Sequence, residues 1–176
     1  MTAKLSILSG LLCLAAAGLS GCSLMHDDLE PCPSGVDLKF VYDYNIQRAD
    51  MFPDHVGSVT VYVFDQNGRY ITQQEDFNTA AARPLASHDY RMHLDLAPGT
   101  YQFIALAHQK SVDECLASKG AKYRRTDIIP SQHSLSDLKV TLDRINAEVR
   151  NEGVHLDTLW HGMSATPLVV RDMEAA

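Results

Sequence analysis

The chain has 176 residues, 45% of them apolar, with 15 lysines and arginines against 22 aspartates and glutamates and a formal charge of -7. It is too apolar to stay disordered and too acidic to hold nucleic acid by charge. Its length allows about one domain.

Lys4 is the only charged residue among the first 25. The apolar run Leu5–Leu19 behind it has the length of a signal-peptide core and is shorter than the ~20 residues a membrane-spanning helix needs. It ends in Leu19-Ser20-Gly21-Cys22, the lipobox pattern of an apolar residue, two small residues and a cysteine. Small side chains let a peptidase take the backbone extended, and the thiol carries the lipid. Residues 1–21 are therefore read as a lipoprotein signal peptide, Cys22 as the lipidated residue, 22–35 as a tether and 36–176 as the folded domain. The alternative is an ordinary signal peptide with a chance cysteine, but no Ala-x-Ala site is present. Two or three acyl chains hold a protein stably on a membrane. Asp27, Asp28 and Glu30 follow closely and are similar to the surface-export signal of Bacteroidota lipoproteins, which implies an outer-membrane, surface-exposed location; they also read as a solvated tether.

Cys13 leaves with the leader, so Cys32 and Cys115 are the remaining pair, in a compartment that permits disulfides. They are a possible disulfide, closing a loop of over eighty residues and worth roughly 4 kcal/mol by chain entropy; two thiols are the alternative. Neither has CxxC spacing or a nearby histidine, so no zinc or redox site is implied.

From Val36 the period is two: Val36, Leu38, Phe40, Tyr42 and Tyr44 share one face of a predicted half-buried strand. Ser58–Phe64 is apolar on both faces and reads as a central strand, followed by an Asn67-Gly68 hairpin turn and a return strand over 69–74. Tyr90, Met92, Leu94 and Leu96 alternate again, and Ala97-Pro98-Gly99 turns into the strand Thr100–Ala107. Later strands are expected over 138–142 and 166–171, the latter weakened by Pro167. Short helices are expected over 112–120, ended by Gly120, and over 134–138, opened by Ser134. Short strands with turn signals between them predict an all-β antiparallel sandwich with Greek-key connections. The long loops 45–57, 75–88 and 108–134 are where a binding surface is expected.

Catalytic and cofactor patterns are missing. The eight histidines, at 26, 55, 88, 93, 108, 133, 155 and 161, form no HExxH and read as scattered surface residues; His88 and His93 would face opposite sides of one strand. There is no Gly-x-Ser-x-Gly, P-loop, GxGxxG or calcium ladder. Lys122–Arg125 is too small a basic cluster for a nucleic-acid footprint. No cofactor, metal or enzyme activity is expected. A glycan platform would need Tyr90, Tyr101 and Trp160 to cluster on the surface; as alternating strand residues they read as core.

The block Pro31–Gly35, Val36–Asp65 and Gln66–Tyr70, with Leu96-Ala-Pro-Gly-Thr-Tyr101 and Leu159-Trp-His-Gly162 later, resembles the N-terminal domain of the FimB/Mfa-type fimbrial subunits of Bacteroidales. The resemblance runs from Cys22 to about Gly162. It implies a transthyretin-like β-sandwich, no catalysis, and a lipoprotein that anchors a fimbrial shaft to the outer membrane, with shaft or accessory subunits as partners. It also implies assembly by strand exchange, in which one subunit's strand completes a neighbour's open sheet. Members of that family usually carry two such domains. The closing Leu168–Ala176 then reads either as the opening of a second domain or as a last strand with a short tail, and a non-assembling variant is the alternative to an anchor.

Overall fold

Seven consecutive residues, Ser58–Phe64, are all buried, and the rest of the fold is arranged around them. The computed structural model describes residues 35–111, 114, 117, 121–144, 146–149, 153 and 155–171. The predicted signal peptide, the predicted lipidation site Cys22, and both Cys32 and Cys115 lie outside the described residues. In chain order the strands are β1 (Val36–Leu38), β2 (Ser58–Asp65), β3 (Tyr70–Phe77), β4 (Met92–Leu94), β5 (Gly99–His108), β6 (Tyr123–Arg125), β7 (Val140–Leu142), β8 (Leu159–Met163) and β9 (Leu168–Val170). Helix α1 (Phe52–His55) is a single turn, and 3-10 turns span Pro84–Ala86 and Leu135–Asp137.

β2 alternates β-branched and aromatic side chains, which suit a pleated surface covered on both sides. It is hydrogen-bonded to β3 on one edge and β5 on the other, giving the order β3-β2-β5-β8, with β9 also paired to β5. The β2–β3 hairpin turns at the predicted Asn67-Gly68, where Gly68 has φ +75°. The Asp65 carboxylate accepts the Asn67 and Arg69 amides at 2.8 and 2.9 Å, which fixes the turn. β4 leaves this sheet to pair with β1, and β5 returns beside β2, the crossing expected of a Greek key.

The main sheet is covered on both faces by two-stranded antiparallel ribbons. Val59, Val61, Val63 and Phe103 pack with Met92, Leu94 and Leu96 from the β1–β4 side. On the opposite face Tyr62, Phe64, Tyr70 and Leu106 pack with Leu135, Leu138 and Val140 beside the β6–β7 ribbon. The fold is thus the expected all-β antiparallel sandwich, with its second and third layers reduced to ribbons.

Three local expectations need correcting. The strand expected over 36–44 ends at Leu38, although Phe40 and Tyr42 still pack on the core, and Tyr44 is 97% exposed. Side chains close a loop there instead: Asp50 Oδ1 accepts the Tyr42 and Phe52 amides at 3.0 Å each, and Asn45 Nδ2 donates to the Tyr42 carbonyl at 2.7 Å. The expected loops 45–57, 75–88 and 108–134 contain α1, the end of β3 and β6 respectively. His88 precedes β4 rather than sharing a strand with His93.

The helix expected over 112–120 has helical residues at Glu114 and Ala117, while Gly120, its predicted end, lies outside the described residues. It opens with a capping box in which the Glu114 amide donates to Ser111 Oγ at 3.3 Å and the Ser111 amide to Glu114 Oε2 at 3.0 Å. At the other predicted cap, the Ser134 amide donates to Asp137 Oδ2 at 2.8 Å. Leu168–Val170, one reading of which was a last strand, pairs with β5 as β9.

Candidate functional site

Residues 104 and 106 of β5 and 60, 62 and 64 of β2 face the β6–β7 ribbon, which divides that face of the sheet into two depressions. On the β7 side is an apolar groove of about 390 Å³, lined by Ile104, Leu106, Leu138, Val140, His161, Gly162 and Met163. On the β6 side is a polar cleft of about 330 Å³, lined by Tyr62, Tyr70, Thr72, Gln73, Arg125, Thr126, Asp127 and Ile128.

The groove adjoins the edge of the main sheet. β8 pairs with residues 104–108 of β5, and β9 with residues 99–101, so the two together form one interrupted edge strand. The interruption is the segment Ser164–Pro167, where the Ser164 amide donates to the Phe103 carbonyl at 3.1 Å and Ser164 Oγ accepts the Phe103 amide at 3.2 Å. Pro167 has no amide to offer to an added strand, so that stretch of the edge is blunted. β8 is different. Among the described strands it pairs with β5 alone, its sequence Leu-Trp-His-Gly-Met carries no lysine or carboxylate, and Met163 is 59% exposed. The opposite edge, β3, carries Glu75 and Asp76, the kind of charge that guards edges against pairing.

The cleft is built around Arg125. Its Nη1 donates to Thr60 Oγ1 at 2.6 Å and to the Tyr62 hydroxyl at 3.3 Å, and its Nη2 lies 3.9 Å from Glu75 Oε1. Burial pushes the Tyr62 hydroxyl pKa up, against the opposing pull of Arg125, and burial does the same at Tyr70. Both phenols stay neutral at any physiological pH. The Tyr70 hydroxyl donates to Gln73 Oε1 at 3.2 Å.

The aromatic platform needs Tyr90, Tyr101 and Trp160 together at the surface, and the fold places all three against the first core. Tyr90 stacks on Phe40 and Phe52 with centroids 6.3 and 6.1 Å away, and its hydroxyl donates to Asp76 at 2.6 Å. Trp160 packs against Tyr42 at 5.6 Å.

Reading all histidines as surface residues fails at His108, which is 5% exposed at the end of β5. Its Nδ1 lies 3.6 Å from Asp157 Oδ2, just ahead of β8. Burial holds its pKa below the ordinary 6.5; the charge of Arg125 adds to this and Asp157 opposes it. A group with a depressed folded pKa binds its proton more readily unfolded, so stability is retained above the unfolded value and lost as pH falls through the folded one. Unfolding free energy is expected to decline as pH drops below 6.5, and His108→Gln to remove that part of the slope in denaturant titrations at stepped pH. An unchanged slope would assign the decline to other groups.

Among the described residues, no group of three or more histidines, cysteines and carboxylates could hold a metal, and no helix is long and apolar enough to cross a membrane. The sequence profile of the fimbrillin-A associated anchor proteins Mfa1 and Mfa2 matches residues 29–174. No protein of curated function matches the chain. Several solved structures do. A candidate polysaccharide-binding protein of Bacteroides thetaiotaomicron is 29% identical with TM-score 0.61, over 80% of this chain and 43% of that one. A candidate adhesin of the same organism is 30% identical with TM-score 0.58, over 84% and 45%. The fimbrial anchor protein Mfa2 of Porphyromonas gingivalis shares the fold at TM-score 0.60 and 19% identity, over 81% and 45%. The chain therefore spans less than half the length of each of these structures. With the profile matched along most of its length and a solved relative at 30% identity, the chain belongs to the family of fimbrillin-A associated anchor proteins.

Proposed function

We propose that this protein is a non-catalytic fimbrial anchor or accessory subunit, held on the outer membrane by a lipid on Cys22 and attached to a fimbrial shaft by strand exchange. The observation that carries the reading is the β8 edge, free of lysine and carboxylate and lying beside an apolar groove. An added strand would satisfy the outward backbone groups of β8 and place alternate side chains in the groove over Ile104 and Leu106. Backbone hydrogen bonds give such a complex its strength and the groove its choice of partner. Family membership supports a shaft subunit as that partner, and the lipobox supports the anchor.

The test is a pull-down from detergent-solubilised outer membrane, comparing wild type, Cys22→Ala and Met163→Lys. Wild type is expected to bring down shaft protein in a heat-labile complex. Met163→Lys, which sets a charge on the open edge, is expected to recover at least about tenfold less. Cys22→Ala should leave the membrane fraction while still binding shaft protein added in solution. Recovery of shaft protein by Met163→Lys at the wild-type level would remove β8 from the reading, and no recovery by intact wild type would remove the anchor role.

A further inference from the structure

We propose that the polar cleft between β3 and β6 binds an uncharged sugar residue of a glycan, a site separate from the strand-accepting groove. A sugar hydroxyl both donates and accepts hydrogen bonds, and the residues lining the cleft carry both kinds of group: the guanidinium of Arg125, the hydroxyls of Tyr62 and Tyr70, the carboxylate of Asp127 and the amide of Gln73. Charge selects against the alternatives. Arg125 already faces Glu75 at 3.9 Å and Asp127 also lines the cleft, so an anion would meet carboxylates and a cation would meet the guanidinium. A neutral polyol meets neither penalty.

The floor is set before any ligand arrives. Arg125 is tied to Thr60 and Tyr62 on the central strand, and Tyr70 to Gln73, so little side-chain freedom remains to be lost on binding. Ile128 supplies an apolar patch for the C–H face of a sugar ring, and about 330 Å³ lies at the small end of the range for small-molecule sites. Tyr62 and Tyr70 are each 3% exposed, so their ring faces are not open for a sugar to stack on and recognition here is by hydrogen bonding. The β6–β7 ribbon separates this cleft from the groove beside β8, and a protein with both could hold a shaft strand and a glycan at once.

Saturation-transfer NMR with glucose, galactose, mannose and N-acetylglucosamine as probes tests the site. At least one is expected to receive saturation from wild type at millimolar concentration. Gln73 and Asp127 are exposed, and Gln73 Oε1 also accepts from the buried Tyr70 hydroxyl; the double variant Gln73→Ala/Asp127→Ala is expected to bind about tenfold more weakly, and Asp127→Ala alone, which keeps that bond, to bind more weakly too. Met163→Lys should bind as wild type does. Silence from all four sugars, equal binding by the double variant, or preferential binding of glucuronate would each overturn the proposal.

Discussion

Phe64→Ala is expected to lower the unfolding free energy by about 3–5 kcal/mol, the range for deleting a buried phenyl ring. Phe64 is 0% exposed on the ribbon side of β2, with Tyr70 at 5.7 Å between ring centroids. The cavity could not readily close, because β2 is paired with β5 along its whole length and with β3 on its other edge, where the register shifts between Val63 and Phe64. The contrast is Met163→Ala on the exposed edge, where a change within about 0.5 kcal/mol is expected. Since a domain has only about 5–15 kcal/mol in total, Phe64→Ala should bring unfolding close to growth temperature. Denaturant titration of the two variants checks this. A cost below about 1 kcal/mol at Phe64 would mean that the β6–β7 ribbon does not seal this face.

How far the sequence foretold these features depended on whether the cause was local. β2 was legible because a strand buried on both faces needs no partner to be recognised: its seven apolar or small positions announce it. The hairpin at Asn67-Gly68 was legible for the same reason, as was β4 from Met92 and Leu94. β8 was not. Leu159–Met163 has no alternation, and it is a strand because β5 offers it a ladder, a tertiary cause. β6 was hidden by Arg124 and Arg125, yet Arg125 crosses to Thr60, 65 residues away in sequence, and so is held inside. The stretch 39–44 misled in the other direction: its alternation is real, but Asn45 and Asp50 capture the backbone first. The polar cleft combines β2, β3 and residues 125–128, and no spacing in one segment could have announced it. The histidines divide likewise: His93 pairs at the surface with Asp37 at 2.8 Å, while only the fold shows that His108 is buried.

Two glycines should respond in opposite ways to the same added methyl. Gly57→Ala is expected to cost more than about 3 kcal/mol, whereas Gly162→Ala should stay within about 0.5 kcal/mol of wild type. At Gly57 a Cβ would fall on the carbonyl oxygen of Gln109 and 2.8 Å from its carbonyl carbon, a clash with backbone that no rotamer change relieves. The site is a junction. The Gly57 amide donates to the His108 carbonyl at 2.8 Å, the Gly57 carbonyl accepts the Asn78 amide at 2.8 Å, and Ser58 Oγ donates to the Lys110 carbonyl at 2.8 Å. Moving Gln109 would therefore disturb the ends of β2, β3 and β5 together. It would also disturb the approach to β8, because the Lys110 amide donates to Asp157 Oδ2 at 3.4 Å. At Gly162, in the open edge itself, a Cβ meets nothing within 4 Å. If both variants were equally stable, the close approach at Gly57 would not be a feature of the folded protein in solution. If only Gly57→Ala unfolds early and the Gly162→Ala variant still recovers shaft protein, the β8 edge depends on a junction on the far side of β5 more than on its own small residue.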